Sequence, residues 1–143
     1  MNLRVWLGTA FLMVFVIGCV SKSDVEKVLS DHPEIIFNII RNAAQAIENE
    51  GSITVRSRVN GTKAIVEIAD TGAGMDETHL KKIFNPFFTT KEPGKGTGLG
   101  LFIVKQIIER NEGSISATSV PGQGTTFRLT FKLADKAENV QNV

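Results

Sequence analysis

The sequence predicts an α/β domain, specifically a two-layer α/β sandwich in which helices cover one face of a mixed sheet. Three observations predict it. Two pairs of short runs alternate apolar and polar residues around turn signals. Two other segments carry apolar residues at helical spacing, and nearly thirty residues between Ala69 and Gly98 form a long connection with only a short helix candidate in it. The resulting order of helix, hairpin, long loop, helix and hairpin lets strands pair with their sequence neighbours. Each helix is then left with one stripe to bury.

The first segment stands apart from this pattern. Val5 to Val20 (VWLGTAFLMVFVIGCV) is uncharged and follows Arg4. As a helix it would reach ~24 Å, short of the ~30 Å of a bilayer core. Two readings follow: a short membrane anchor with the domain on the cytoplasmic side, or a lipoprotein-type signal whose VIGC ending leaves Cys19 to be lipidated. On either reading residues 1–22 are the anchor or signal, 23–31 a connector, 32–133 the domain proper and 134–143 a solvated tail.

Within the domain, Pro33 to Asn49 places Ile35, Ile36, Ile39, Ile40, Ala43 and Ile47 on one helical face, with Asp31 as candidate N-cap and Gly51 beyond the end. SITVRSRV and KAIVEIA flank Asn60-Gly61-Thr62, an antiparallel hairpin signal. A short helix is expected from Asp76 to Phe84 and a longer one from about Gly98 to Asn111. GSISATSV and TTFRLTFKL then surround Pro121-Gly122-Gln123-Gly124, and Phe127, Leu129, Phe131 and Leu133 alternate toward one face.

Composition narrows the function. With 143 residues there is room for one core. A net charge of +1 provides no field to recruit nucleic acid, so an anion has to be held by local geometry. The single cysteine and two histidines, His32 and His79, make no metal cluster. A loop as long as the one after Ala69 is usually functional. Gly72 and Gly74 at one end, and Gly94, Gly96, Gly98 and Gly100 at the other, are expected hinges for a lid. The second cluster opens a helix, where the backbone N–H groups of Gly98, Leu99 and Gly100 can face an anion. Neither a P-loop nor a dinucleotide fingerprint fits the Gly-x-Gly-x-Gly-x-Gly register.

Other stretches fall in order around that cluster: Asn38 to Ala43 (NIIRNA), Asp70 to Gly74 (DTGAG), FNPFFTTK, GKGTGLGL and GTTF. Together they resemble the N box, glycine boxes and F box of the ATP-binding catalytic domain of bacterial sensor histidine kinases. That domain belongs to the gyrase, chaperone, kinase and MutL superfamily with the Bergerat nucleotide fold. The resemblance covers roughly Asp31 to Leu133, and the lid looks most like the nitrogen-regulation class.

The resemblance implies ATP and Mg²⁺ as cofactors. It implies that Asp70 accepts a hydrogen bond from the adenine amino group, that Thr125 assists through water, and that Ala46 and Met75 line the adenine slot. Asn42 is the implied metal ligand, with Asn38 beside it. Phe84, Phe87 and Phe88 are implied to anchor the lid. The resemblance likewise implies that Thr89, Thr90 and Lys91 lie near the polyphosphate and that Gly96, Thr97 and Leu101 of the second glycine box take part in binding ATP.

Asn38 occupies the place where the hydrolases of the superfamily carry a glutamate base, which points to phosphotransfer rather than hydrolysis. Glu34 is read as solvated or structural. Neither His32 nor His79 has the surroundings of a phosphoacceptor, so the implied partners are a histidine hairpin or sensor subunit in trans and a downstream response regulator. A non-catalytic nucleotide-binding regulator and an anti-sigma-type serine kinase remain the alternatives.

Overall fold

The computed structural model describes residues 2–7, 10–17 and 29–133. Cys19, most of the expected connector and the expected tail lie outside the described residues. The strands are β1 (Asn2–Leu7), β2 (Ala10–Ile17), β3 (Gly51–Asn60), β4 (Lys63–Asp70), β5 (Ser114–Val120) and β6 (Gly124–Lys132). The helices are α1 (Pro33–Ala46), α2 (Glu77–Leu80) and α3 (Gly100–Arg110). The strands form one six-stranded mixed sheet in the order β1-β2-β3-β4-β6-β5. Only β2 and β3 run parallel.

The two hairpins form where the turn signals place them. Asn60 pairs with Lys63 across Gly61 and Thr62, and Gly61 takes a φ of 58°, the left-handed region the Asn-Gly signal anticipates. Ile35, Ile39 and Ala43 lie four apart on α1 and are almost fully buried, as are Val104 and Ile108 on α3. Below them the inner sheet face presents Ile53, Val66, Ile68, Phe127, Leu129 and Phe131. Each fully buried isoleucine contributes about 1.5–3 kcal/mol relative to leaving it exposed. The opposite face is polar: Glu67 sits across from Arg128 and binds it through both Nε (2.8 Å) and Nη2 (2.7 Å).

The structure departs from expectation at several points. Asn2–Leu7 and Ala10–Ile17, expected within an anchor or signal, are strands, and β2 aligns with β3 from Leu12↔Gly51 to Ile17↔Arg56. An apolar run rich in Val, Ile and Phe suits a strand as well as a helix, and periodicity cannot separate the two in so short a run. No helix among the described residues is long and apolar enough to cross a membrane. Asp31 is not the N-cap of α1. His32 occupies that position without a side-chain capping bond, because Pro33 fixes the first turn. The helix ends at Ala46 rather than Asn49. The expected short helix shrinks to Glu77–Leu80, capped by Asp76, whose Oδ1 accepts from the His79 N–H at 2.8 Å. Hydrogen bonds, first from the Thr78 hydroxyl, hold the Asp76 carboxyl below its ordinary range.

Candidate functional site

A cleft of about 430 Å³ opens between the second half of α1, the end of β4 and the start of α3, with residues 88–98, the later part of the loop after β4, as its roof. Its size is that of a small-ligand site. The two ends differ in chemistry.

One end is built by Asp70, the last residue of β4, which is 7% exposed. Its Oδ1 accepts from the Gly72 N–H at 2.8 Å and from the Thr125 N–H at 3.2 Å. Burial pushes the carboxyl up from its ordinary range, and the two backbone donors pull partly against that. The loop after it is sewn in place: the Ala73 N–H donates to the Ala46 carbonyl (2.8 Å), and the Gly122 N–H donates to the Ala73 carbonyl (2.7 Å). This ties the end of α1 to the β5–β6 turn and fixes the floor of the slot. Gly74 takes a φ of 67°, and a Cβ there would collide with the Val120 carbonyl, so only glycine fits. Ala46 and Met75 line the cleft as well.

The other end is cationic and rich in backbone donors. Arg41, Lys91 and Lys95 line it, whereas Asp70 is the only acid among the described lining residues. No side chain caps α3, which leaves the N–H groups of its first turn for a ligand. Gly98, at φ 65°, packs against the Phe87 backbone where a side chain would clash, and so lets the chain enter α3 at that angle. Lys91 Nζ donates to Asn42 Oδ1 (3.1 Å) and to Gln45 Oε1. Burial, and behind it the Arg41 guanidinium, lowers the Lys91 pKa, so the ammonium is destabilised until an anion joins it. Lys91→Met is therefore expected to weaken polyphosphate binding roughly tenfold at low salt, with the deficit shrinking as salt rises. A deficit independent of ionic strength would contradict this role.

Among the described residues no cluster of His, Cys, Asp and Glu suits a metal. Asn42 nevertheless fits a hard divalent ion that takes most of its ligands from phosphate and water: its neutral Oδ1 already faces the cation Lys91 Nζ. Gln45 Oε1 faces the same ammonium.

Most of the expected residues meet here. Asn42, Thr89, Thr90, Lys91, Gly96 and Thr97 line the cleft, as do Gly98, Gly100, Leu101 and Thr125. Three do not. Asn38 spends its amide on the Glu34 carbonyl (2.9 Å) and the Arg41 guanidinium (3.1 Å), and packs behind Gly100. Gly72 is buried behind the wall against Ala46, and the Leu99 N–H turns to Thr97 Oγ1 (3.4 Å). The lid is also shorter than expected, because its first half is docked. Phe84 meets Phe127 edge-on at 6.5 Å and Phe88 lies 6.0 Å from His79, so both anchor it. Phe87, expected beside them, is 74% exposed.

Gln45 and Arg41 escaped the sequence reading. The signal for Gln45 was its place three residues after Asn42, on the same helical face. For Arg41 the only signal was its place between two box residues.

Comparison with known proteins agrees with this geometry. The family described as histidine kinase-, DNA gyrase B- and HSP90-like ATPase matches residues 31–135. The sensor histidine kinase ZraS of Salmonella typhi is 40% identical over 97 residues, covering 67% of this chain and 20% of its own. The signal transduction histidine-protein kinase AtoS of Escherichia coli strain K12 is 42% identical over 101 residues, covering 70% and 16%. The chain thus spans about a fifth or less of these relatives' length. The catalytic domain of histidine kinase ThkA superposes with a TM-score of 0.67 at 28% identity, covering 87% of this chain and 80% of that one. A mycobacterial sensor histidine kinase, MprB, superposes with a TM-score of 0.67 at 22% identity, covering 85% and 81%, and speaks for the fold alone.

Proposed function

Since the chain belongs to the family of histidine kinase-, DNA gyrase B- and HSP90-like ATPases, we propose that it is the ATP-binding catalytic module of a two-component histidine kinase. It binds Mg-ATP and passes the γ-phosphoryl to a histidine on a helical hairpin supplied in trans, which in turn serves a response regulator. The observation that carries this reading is the polarity of the cleft: a buried carboxylate at one end, and cations with an uncapped helix start at the other. A purine with a donor edge and a polyphosphate tail matches both ends. Asp70 orients the base, the first turn of α3 holds phosphate oxygens, and Lys91 is positioned to turn from Asn42 to the phosphates. Mg²⁺, when bound, would be held by Asn42 with Gln45 nearby and would neutralise phosphate charge.

Phosphotransfer is favoured over hydrolysis because Asp70, the one acid of the described lining, lies at the base end, away from the phosphates. The residue one turn before Asn42 is Asn38, an amide whose groups are already engaged. The FNPFFTTK and GKGTGLGL stretches favour the nitrogen-regulation-like class, and a need for ATP favours a cytoplasmic over an exported domain.

Incubation with γ-labelled ATP and a separately supplied dimeric histidine hairpin tests the reading. The expected label on the hairpin is acid-labile and alkali-stable. ATP binding without label on any hairpin would instead make the chain a nucleotide-binding regulator, and acid-stable label on a serine partner would make it a serine kinase of the anti-sigma type.

A further inference from the structure

Ser119 lies at the end of β5, opposite Thr125 in the β5–β6 register, and does not line the cleft. Its hydroxyl nevertheless joins three parts of the base end. Ser119 Oγ accepts from the Met75 N–H at 2.8 Å, donates to the Gly124 carbonyl at 3.0 Å and lies 2.9 Å from Thr125 Oγ1. A serine hydroxyl has one proton and two lone pairs. The Gly124 carbonyl can only accept, so it takes the proton, and the Met75 N–H takes one lone pair. The remaining lone pair faces Thr125, whose hydroxyl must therefore be the donor in that contact.

This assignment fixes what Thr125 shows to the cleft it lines. With its proton turned away toward Ser119, Thr125 Oγ1 offers only lone pairs to a ligand. The ionised Asp70 carboxylate, whose Oδ1 accepts from two backbone N–H groups, likewise adds acceptors and no donor. We propose that Ser119 is a specificity-determining positioning residue: by holding the Thr125 proton, it makes the base end of the cleft acceptor-only. That end then favours a 6-amino purine, which donates there, over a 6-oxo purine, which accepts. The proposal rests on the assignment of ATP to this cleft.

The test uses the full chain and two nucleotides that differ at the purine 6-position, ATP and inosine triphosphate, with both affinities measured by calorimetry. Ser119→Ala frees the Thr125 proton to point into the cleft. The preference for ATP over inosine triphosphate is expected to fall about tenfold, roughly the worth of one hydrogen bond whose sense has reversed. Ser119→Thr keeps a hydroxyl and is expected to restore most of the preference. Thr125→Val, which removes the hydroxyl altogether, is expected to reduce the preference too and to make a further Ser119→Ala change inconsequential.

A purely structural Ser119 would weaken both nucleotides by the same factor. A preference within twofold of wild type in Ser119→Ala would overturn the proposal, as would an unchanged preference in Thr125→Val should the serine variants fail to fold. Wild-type protein that binds neither nucleotide would defeat the ATP assignment itself, whereas wild-type binding with an unmoved preference defeats only the role of Ser119.

Discussion

Asp70→Asn is expected to lower ATP affinity by roughly 30- to 100-fold, about 2–3 kcal/mol, while leaving the nucleotide-free protein at least as stable at neutral pH. Asparagine can keep both backbone contacts through its single carbonyl oxygen, because one Asp70 oxygen receives the Gly72 and Thr125 N–H groups. What changes is the other atom, an NH₂ in place of a carboxylate oxygen, which confronts the adenine amino group donor to donor. Stability moves the other way. Burial raises the Asp70 pKa above its ordinary 3.8, so the ionised carboxylate opposes folding. The sign follows from linkage: this penalty is absent below the ordinary value, grows as pH rises toward the raised folded value and is complete above it. Thermal unfolding of Asp70→Asn should therefore lack that pH-dependent loss. ATP affinity of the wild type should weaken as pH falls through the raised pKa, since the protonated carboxyl is a poorer acceptor. An Asp70→Asn protein that binds ATP as well as wild type would remove the adenine assignment.

Asn42→Ala should separate nucleotide binding from magnesium. Affinity for ATP without magnesium is expected to stay within about threefold of wild type, because truncation also releases Lys91 from Asn42 Oδ1 toward the phosphates. The gain that magnesium brings should largely vanish, and transfer to the hairpin should fall by ~100-fold or more, since positioning and charge neutralisation are most of what a phosphoryl-transfer site provides. Titrations with and without magnesium, alongside the labelling assay, measure both. Asn42→Ala with unimpaired magnesium dependence would mean that the ion is held elsewhere.

Much of the fold was legible because local signals and global packing agree. Ile35, Ile39 and Ala43 announced the buried stripe of α1, Asn60-Gly61 announced a hairpin, and Phe127, Leu129 and Phe131 announced the inner face of β6. The poles of the cleft were legible only from the ordered set of boxes, since an aspartate before Gly-x-Gly is by itself as well suited to capping a turn, and glycines before a helix to a flexible loop. What escaped notice depends on contacts that no local pattern encodes. An apolar run that suits either strand or helix hid β1 and β2. Pro33 displaced the cap from Asp31. Asn38, on the same face as Asn42, was drawn to the neighbouring helix turn rather than to the cleft. Ser119 acquires its role only through its register against Thr125, which sequence spacing across a turn suggests but does not orient.

The central claim is that this cleft holds the purine of ATP at Asp70 and its phosphates at the start of α3. Calorimetric titration of the folded wild-type chain with ATP plus magnesium tests it most directly, with Asp70→Asn in parallel. One nucleotide per chain, with heat that Asp70→Asn loses, is the predicted result; a well-folded wild type that takes up no ATP at millimolar nucleotide would contradict it.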